Sequence, residues 1–175
     1  LHYKAEMVHD FAWAADPNFR EYSAMWRDVR VRQLIQPDHA ADAPRHLEAL
    51  IATLESMDTR FGSYPWSTIT VIHPPEDAAG AAGMEYPTLF TTSDIYTIPR
   101  WVKISGLDEQ LSGVFTTIHE FGHQYFQGLL ASDETRQPWL DEGFNTFANT
   151  LTISDWRGED AWIARIGNQE LTLDD

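Results

Sequence analysis

The stretch "TTIHEFGHQYF", residues 116–126, holds two histidines four positions apart, with a glutamate directly after the first. On an α-helix, residues four apart are displaced by roughly 40° around the axis and ~6 Å along it. His119 and His123 therefore project from one face, where two imidazoles can bind one metal ion. Glu120 lies about 100° around the helix from His119, outside that coordination sphere. It can still reach a water molecule on the metal, as a general base must.

The residues around this motif predict a buried helix over 107–130. Buried histidines need hydrogen-bonding or metal partners, so burial favours a site over a chance pattern. Gly122 costs about 1 kcal/mol of helix stability relative to Ala and therefore predicts close packing at that position. The apolar residues of the predicted helix are Ile118, Phe121, Phe126, Leu129 and Leu130.

A third metal ligand is needed, because a catalytic zinc commonly takes two histidines, one carboxylate and a water. Glu142 follows His123 after eighteen intervening residues, inside "QPWLDEGFNTFANT". That spacing leaves room for the rest of one helix, a loop and a second, antiparallel helix, which we predict over 140–153. The apolar positions of this second helix are Phe144, Phe147 and Leu151.

The remaining segments predict a small sheet with one early helix. Residues 1–15 mix aromatic and polar positions and predict a strand or two. "WRDVRVRQLIQP", residues 26–37, alternates as a strand does. Residues 43–61 change to a helical period, with Asp42 as the expected N-cap and Pro44 in the first turn.

Two further extended segments follow, and then helices. "STITVIHPP", residues 67–75, predicts a buried strand, and "MEYPTLFTT", residues 84–92, predicts an edge strand because Pro87 cannot donate to a ladder. A third helix is expected to begin near Gly158. The order of strands and then helices predicts an α+β fold, in which a small sheet packs beside helices in a single domain over 1–175.

The composition and net charge of the chain argue against several classes of function and site. The 175 residues are 43% apolar and 13% aromatic, as in a globular chain, and the net charge of −15 disfavours nucleic-acid binding. There is no cysteine, so disulfides and cysteine metal sites are excluded. No apolar run approaches the ~20 residues of a membrane span. The chain starts without Met or a signal-peptide pattern, so we expect a segment of a longer protein, whose compartment is unknown.

Two motifs in order carry a resemblance to a known family. "HEFGH", eighteen residues, and the glutamate of "WLDEGF" resemble the aminopeptidase N family of gluzincins, zinc peptidases related to thermolysin. That family also carries G-x-M-E-N, where this chain has "AGMEY" at 82–86, which keeps Met and Glu but not the outer Gly and Asn. Asp141 stands where the family usually has Asn. The resemblance is best over residues 40–155.

The resemblance implies an incomplete thermolysin-like catalytic domain, with residues 1–35 open between the tail of a preceding β-rich domain and the start of the catalytic one. It implies that His119, His123 and Glu142 bind one Zn²⁺ per chain, which acidifies a bound water and polarises the scissile carbonyl. Glu120 would take the water's proton and pass it to the leaving amine.

The same resemblance implies a substrate with a free amino terminus. Glu85 matches the glutamate that binds the α-amino group, so the enzyme would be an aminopeptidase acting on peptides. The backbone of Ala82, Gly83, Met84 and Glu85 would pair with an extended substrate as an added strand.

Metal-bound histidines usually donate their other ring N–H to a neighbouring acceptor. Thr146 and Asn149, four and seven residues after Glu142, are the two candidates for that acceptor, and Asp141 competes with them. The other histidines have no partner at ligand spacing and are expected at the surface or in capping positions: His2, His9, His39, His46 and His73.

We expect the rest of the parent chain to complete the site. The family's oxyanion-stabilising tyrosine would fall beyond Asp175, and Tyr125 is better suited to the core. The segment alone is therefore expected to bind zinc but to hydrolyse peptides poorly or not at all. Three alternatives stay open: an endopeptidase or an epoxide-type hydrolase on the same zinc scaffold, or a non-catalytic zinc-binding module.

Overall fold

The computed structural model describes residues 2–92, 109–158, 162–166 and 169–172. Within these ranges, five strands form one mixed sheet: β1 (Arg20–Trp26), β2 (Val29–Ile35), β3 (Thr68–Ile72), β4 (Met84–Tyr86) and β5 (Leu89–Thr91). Their order across the sheet is β1-β2-β3-β5-β4. The central pairs β2–β3 and β3–β5 are parallel, and the outer pairs are antiparallel.

The described residues also form three α-helices: α1 (Ala43–Phe61), α2 (Glu109–Phe126) and α3 (Phe144–Arg157). A 3₁₀ helix, Pro37–Asp42, precedes α1, and a π-helical turn, Trp139–Gly143, precedes α3. This small sheet followed by helices confirms the predicted α+β fold. None of the described helices is long and apolar enough to cross a membrane.

The core lies between one face of the sheet and the helices α1 and α2. Apolar side chains from both layers are fully removed from water there, which supplies the main favourable term in folding. They are Val31, Ile69, Val71 and Phe90 from the sheet, Leu50, Leu54 and Met57 from α1, and Phe121 and Tyr125 from α2.

The start of α1 confirms the predicted bounds but not the predicted cap. Pro44 lies in the first turn, as expected, whereas Asp42 makes no side-chain capping hydrogen bond and accepts one from Arg45 at 3.1 Å instead. The reason is that the 3₁₀ helix runs directly into α1, so Asp42 has helical rather than extended backbone angles.

The strand prediction for residues 1–15 is wrong. No described residue between 2 and 19 lies in a strand, and the first strand is β1, which pairs with β2 along its whole length. β1 is an edge strand in which only Trp26 is fully buried, so its sequence carries a weak alternation. β2 confirms its predicted pattern, with alternate residues buried from Val29 to Ile35.

The segment 84–92 is a hairpin rather than one strand. Pro87 lies in the turn between β4 and β5, and Thr88 has a left-handed φ of 66°. β4 is the edge of the sheet, as expected from the proline, because its partner among the described strands is β5 alone.

The prediction of a third helix near Gly158 is wrong. The described residues there form an antiparallel pair, β6 (Trp162–Ile166) and β7 (Gln169–Thr172). The sequence between these strands is Gly-Asn, a dipeptide typical of a two-residue hairpin connection, and Ile163 and Ile166 before it favour a strand.

Candidate metal centre

The two histidines of α2 and the glutamate of the π-helical turn converge on one point. The Nε2 atoms of His119 and His123 are 3.1 Å apart. Oε2 of Glu142 lies 3.1 Å from the first of these nitrogens and 3.7 Å from the second. A point about 2.0 Å from all three atoms exists, which matches the bond lengths of Zn²⁺ to imidazole and carboxylate. The predicted ligands therefore meet at a geometry that fits zinc.

Solvent reaches this point from the carboxylate side. The His123 side chain is 1% exposed and that of His119 is 20% exposed, whereas Glu142 is 59% exposed. Glu142 lies within the π-helical turn, and such turns are frequent at functional sites. Among the described residues, the centre is thus bounded by α2 and exposed to solvent on the side of Glu142.

Each imidazole is contacted on its second nitrogen as well. Oδ1 of Asp141 lies 2.5 Å from Nδ1 of His123, and the Asp141 side chain is 5% exposed. The amide nitrogen of Asn149 lies 2.9 Å from Nδ1 of His119. Thr146 is exposed and forms no described hydrogen bond to either ring, so of the three candidates Asp141 and Asn149 occupy the expected positions.

The face that α3 turns inward differs from the prediction. Phe144 and Phe147, two of its predicted apolar positions, are 44% and 60% exposed. The reason is that hydrogen bonds to α2 orient α3: Nδ2 of Asn145 donates to the carbonyl of His119 at 2.8 Å, and Asn149 contacts the ring of His119. The buried positions of α3 are Asn145, Ala148, Asn149, Thr152 and Ile153.

Glu120 lies beside the centre and is 5% exposed. Its Oε2 accepts no hydrogen bond among the described residues. Burial raises the pKa of Glu120 to about 8, and the nearby carboxylates of Glu85, Glu142 and Asp141 add to that shift. A buried carboxylate of this kind can hold a proton near neutral pH.

Glu85 approaches the centre from the edge strand β4. One of its oxygens, a Glu120 oxygen and a His123 ring nitrogen all lie within 4.8 Å of one another. Burial, together with the charges of Asp141, Glu134 and Glu142, raises the pKa of Glu85 to about 7, although a backbone hydrogen bond opposes the shift. The structure thus brings this predicted residue to the metal ligands from a different element.

The chain before Glu85 lies close to α2. Gly83 has a φ of 69°, a conformation that favours glycine, and a Cβ there would lie 3.4 Å from Oε1 of Glu120. Met84 is 40% exposed and Ala82 is half-buried. The segment thus places an edge of the sheet next to the centre.

The sequence patterns did not identify Gln124, which joins this edge to α2. Gln124 directly follows the second histidine and is 1% exposed. Its Oε1 accepts from the backbone N–H of Thr88 at 2.7 Å, and its Nε2 donates to the carbonyl of Tyr86 at 2.9 Å. A glutamine within a helix predicted to be buried was the available signal, since buried amides are normally hydrogen-bonded.

Three other histidines are buried, against the prediction of surface or capping positions: His39, His46 and His73. Nδ1 of His46 lies 2.7 Å from Oγ1 of Thr117 on α2, which also lies 2.8 Å from Oγ1 of Thr92. The rings of His46 and His73 meet edge to face at 4.5 Å, and Gln33 contacts His73 at 2.6 Å. The spacing of these histidines along the sequence does not predict this network, because its members come from five separate segments.

The chain is similar to known peptidases. Residues 45–174 match the model of the Peptidase family M1 domain. The chain is 25% identical over 175 residues to Aminopeptidase 2 of Candida albicans, covering 97% of this chain and 18% of that protein. It is 27% identical over 139 residues to Endoplasmic reticulum aminopeptidase 1 of Rattus norvegicus, covering 78% and 15% respectively. It is also 27% identical over 130 residues to Endoplasmic reticulum aminopeptidase 2 of Bos taurus, covering 72% and 13%.

Proposed function

Because the chain belongs to peptidase family M1, we propose that it carries the zinc centre of an aminopeptidase. The observation that carries this proposal is the convergence of two Nε2 atoms and one carboxylate oxygen on a point about 2.0 Å from each. The chain spans less than a fifth of the length of these relatives, so the proposal refers to the intact protein.

The ligand set would be His119, His123 and Glu142, and two imidazoles with one carboxylate favour Zn²⁺ over harder cations. When bound, zinc would act as a Lewis acid toward the scissile carbonyl and make a water more acidic. Binding through Nε2 requires the proton of each imidazole on Nδ1. For His123 the acceptor is Asp141, and its carboxylate fixes that tautomer.

Asn149 would accept a hydrogen bond from Nδ1–H of His119 once its side-chain amide is rotated by 180°. Oδ1 of Asn149 is buried and has no described hydrogen-bond partner. Turning the amide end for end keeps its shape and brings this oxygen to Nδ1–H of His119. Metal binding would then satisfy both the ring and the buried amide oxygen.

Glu120 would act as the proton carrier. Its position beside the ligands, its burial and its unpartnered oxygen suit a carboxylate that takes a proton from the attacking water and delivers it to the leaving amine. A dication held nearby would favour the ionised form of Glu120, which is the form that accepts the proton.

Glu85 would bind the α-ammonium of the substrate. A carboxylate fixed on β4 near the ligands places a free amino terminus one residue from the scissile bond, which restricts cleavage to the chain end. The free edge of β4 would pair with the extended substrate. The substrate class is therefore peptides with an unblocked amino terminus.

A pair of matched substrates tests this proposal in the intact, zinc-loaded protein. We expect hydrolysis of leucine 4-nitroanilide and none of its N-acetylated twin. Glu120→Gln should keep the zinc and lose turnover, whereas Glu85→Gln should mainly raise KM. Equal cleavage of both substrates would favour an endopeptidase, and no cleavage with zinc bound would favour a non-catalytic module.

A further inference from the structure

Asp141 contacts one of the two histidines of the centre from outside the proposed ligand set. The family usually has a carboxamide at this position, whereas here a carboxylate lies 2.5 Å from Nδ1 of His123. Both side chains are shielded from water, with 5% of Asp141 and 1% of His123 exposed. A hydrogen bond to a charged acceptor is stronger than one to a neutral acceptor. Burying that charge away from water costs free energy.

Other carboxylates lie close to Asp141. Oxygens of Asp141, Glu85 and Glu134 lie within 4.8 Å of one another. Among the described residues, the basic side chain that contacts Asp141 is the imidazole of His123. A buried carboxylate that is grouped with two other carboxylates is stabilised by a nearby cation.

We infer that Asp141 is a positioning residue that strengthens zinc binding through His123 while lowering the stability of the metal-free chain. The inference rests on the proposed zinc site. A carboxylate holds the proton on Nδ1 and makes Nε2 a better ligand, an effect that carboxylate partners of metal-bound histidines generally have. Bound Zn²⁺ then supplies the positive charge that the carboxylate lacks in the metal-free protein.

Asp141→Asn tests the effect on zinc binding and the effect on the stability of the metal-free chain. Asparagine keeps the shape of aspartate and can still accept a hydrogen bond from Nδ1–H of His123. We expect zinc affinity to fall by roughly 10–100-fold. We expect the thermal midpoint of the chelator-treated variant to rise above that of the chelator-treated wild type. Zinc affinity would be measured by competition with a fluorescent chelator, and thermal midpoints by scanning calorimetry in excess EDTA.

Glu134→Gln is the matched control. It removes one charge from the same carboxylate group without touching either imidazole. It should leave zinc affinity within about 3-fold, so an equal loss in both variants would overturn the positioning role in favour of long-range charge.

The remaining outcomes separate this inference from the proposed function. If the wild type binds zinc and Asp141→Asn binds it equally well, the inference fails and the zinc site stands. A lower metal-free midpoint in Asp141→Asn also overturns it. A wild type that takes up no zinc contradicts the proposed function, and the inference falls with it.

Discussion

The side-chain oxygen of Asn145 fills the space that a Cβ on Gly122 would need, and Met57 lies 3.1 Å from the same point. Gly122 separates the two histidines on α2, and Asn145 follows Glu142 at the start of α3. The amide of Asn145 also donates to the carbonyl of His119 at 2.8 Å. This contact sets how closely the two ligand-bearing segments approach each other.

Gly122→Ala should therefore destabilise the protein, although alanine is the better helix former by about 1 kcal/mol. Asn145 would have to move and give up its hydrogen bond, so we expect a net loss of about 1–3 kcal/mol in the free energy of unfolding. Urea denaturation in the presence of EDTA measures this change in the free energy of unfolding. Gly80→Ala is the control, because a Cβ there meets nothing within 4 Å; a Gly122→Ala variant as stable as the wild type would contradict the packing account.

The hydroxyl of Thr117 joins α2 to two other segments, since it lies 2.7 Å from Nδ1 of His46 and 2.8 Å from Oγ1 of Thr92. Thr117→Val keeps the shape but leaves both partners without that contact. We expect it to cost about 1–3 kcal/mol of unfolding free energy. Thr59→Val, the same change at an exposed position of α1, should stay within about 0.5 kcal/mol. Equal effects of the two substitutions would show that the network does not stabilise the fold.

Asp155 on α3 joins α1 through Arg60 at 2.7 Å and Ser56 at 2.7 Å. Burial alone would raise the pKa of Asp155, but hydrogen bonds from Arg60 and Ser56 outweigh it and lower the pKa. A carboxyl whose pKa is lower in the folded state stabilises above its unfolded pKa, and that contribution is lost as the pH falls through the folded pKa.

Asp155→Asn should thus lower stability at pH 7 by up to about 1 kcal/mol, as expected for a partly exposed ion pair. The difference from the wild type should shrink below about pH 4. Urea denaturation at pH 7, 5 and 3.5 measures it, with Asp77→Asn at an exposed position as the control. A difference that does not change with pH would rule out the ion pair as its cause.

The histidine pair could be predicted because helix geometry alone fixes the relation between residues four apart, and α2 places both rings as expected. The approach of Glu142 followed from spacing and from the family pattern. The inward face of α3 could not be predicted, because Phe144 and Phe147 carry the hydrophobic signal. Hydrogen bonds from Asn145 and Asn149 to α2 decide its orientation, and these exist only once the two helices meet.

Long-range polar partners were equally out of reach of the sequence. Gln124 reaches the backbone of the β4–β5 hairpin, and His46 reaches Thr117 across 71 positions. Local sequence patterns report periodicity and turn residues, so they found α1 and β2. They missed β1, where the edge position leaves most side chains partly exposed.

The most direct test is the zinc content of the purified chain after metal removal, reloading and dialysis, compared with Glu142→Ala. Glu55→Ala, at an exposed position of α1, is the matched control. The proposed centre predicts about one zinc per chain in the wild type and in Glu55→Ala, and loss of that zinc in Glu142→Ala. No zinc in the wild type, or equal zinc in all three proteins, would contradict it.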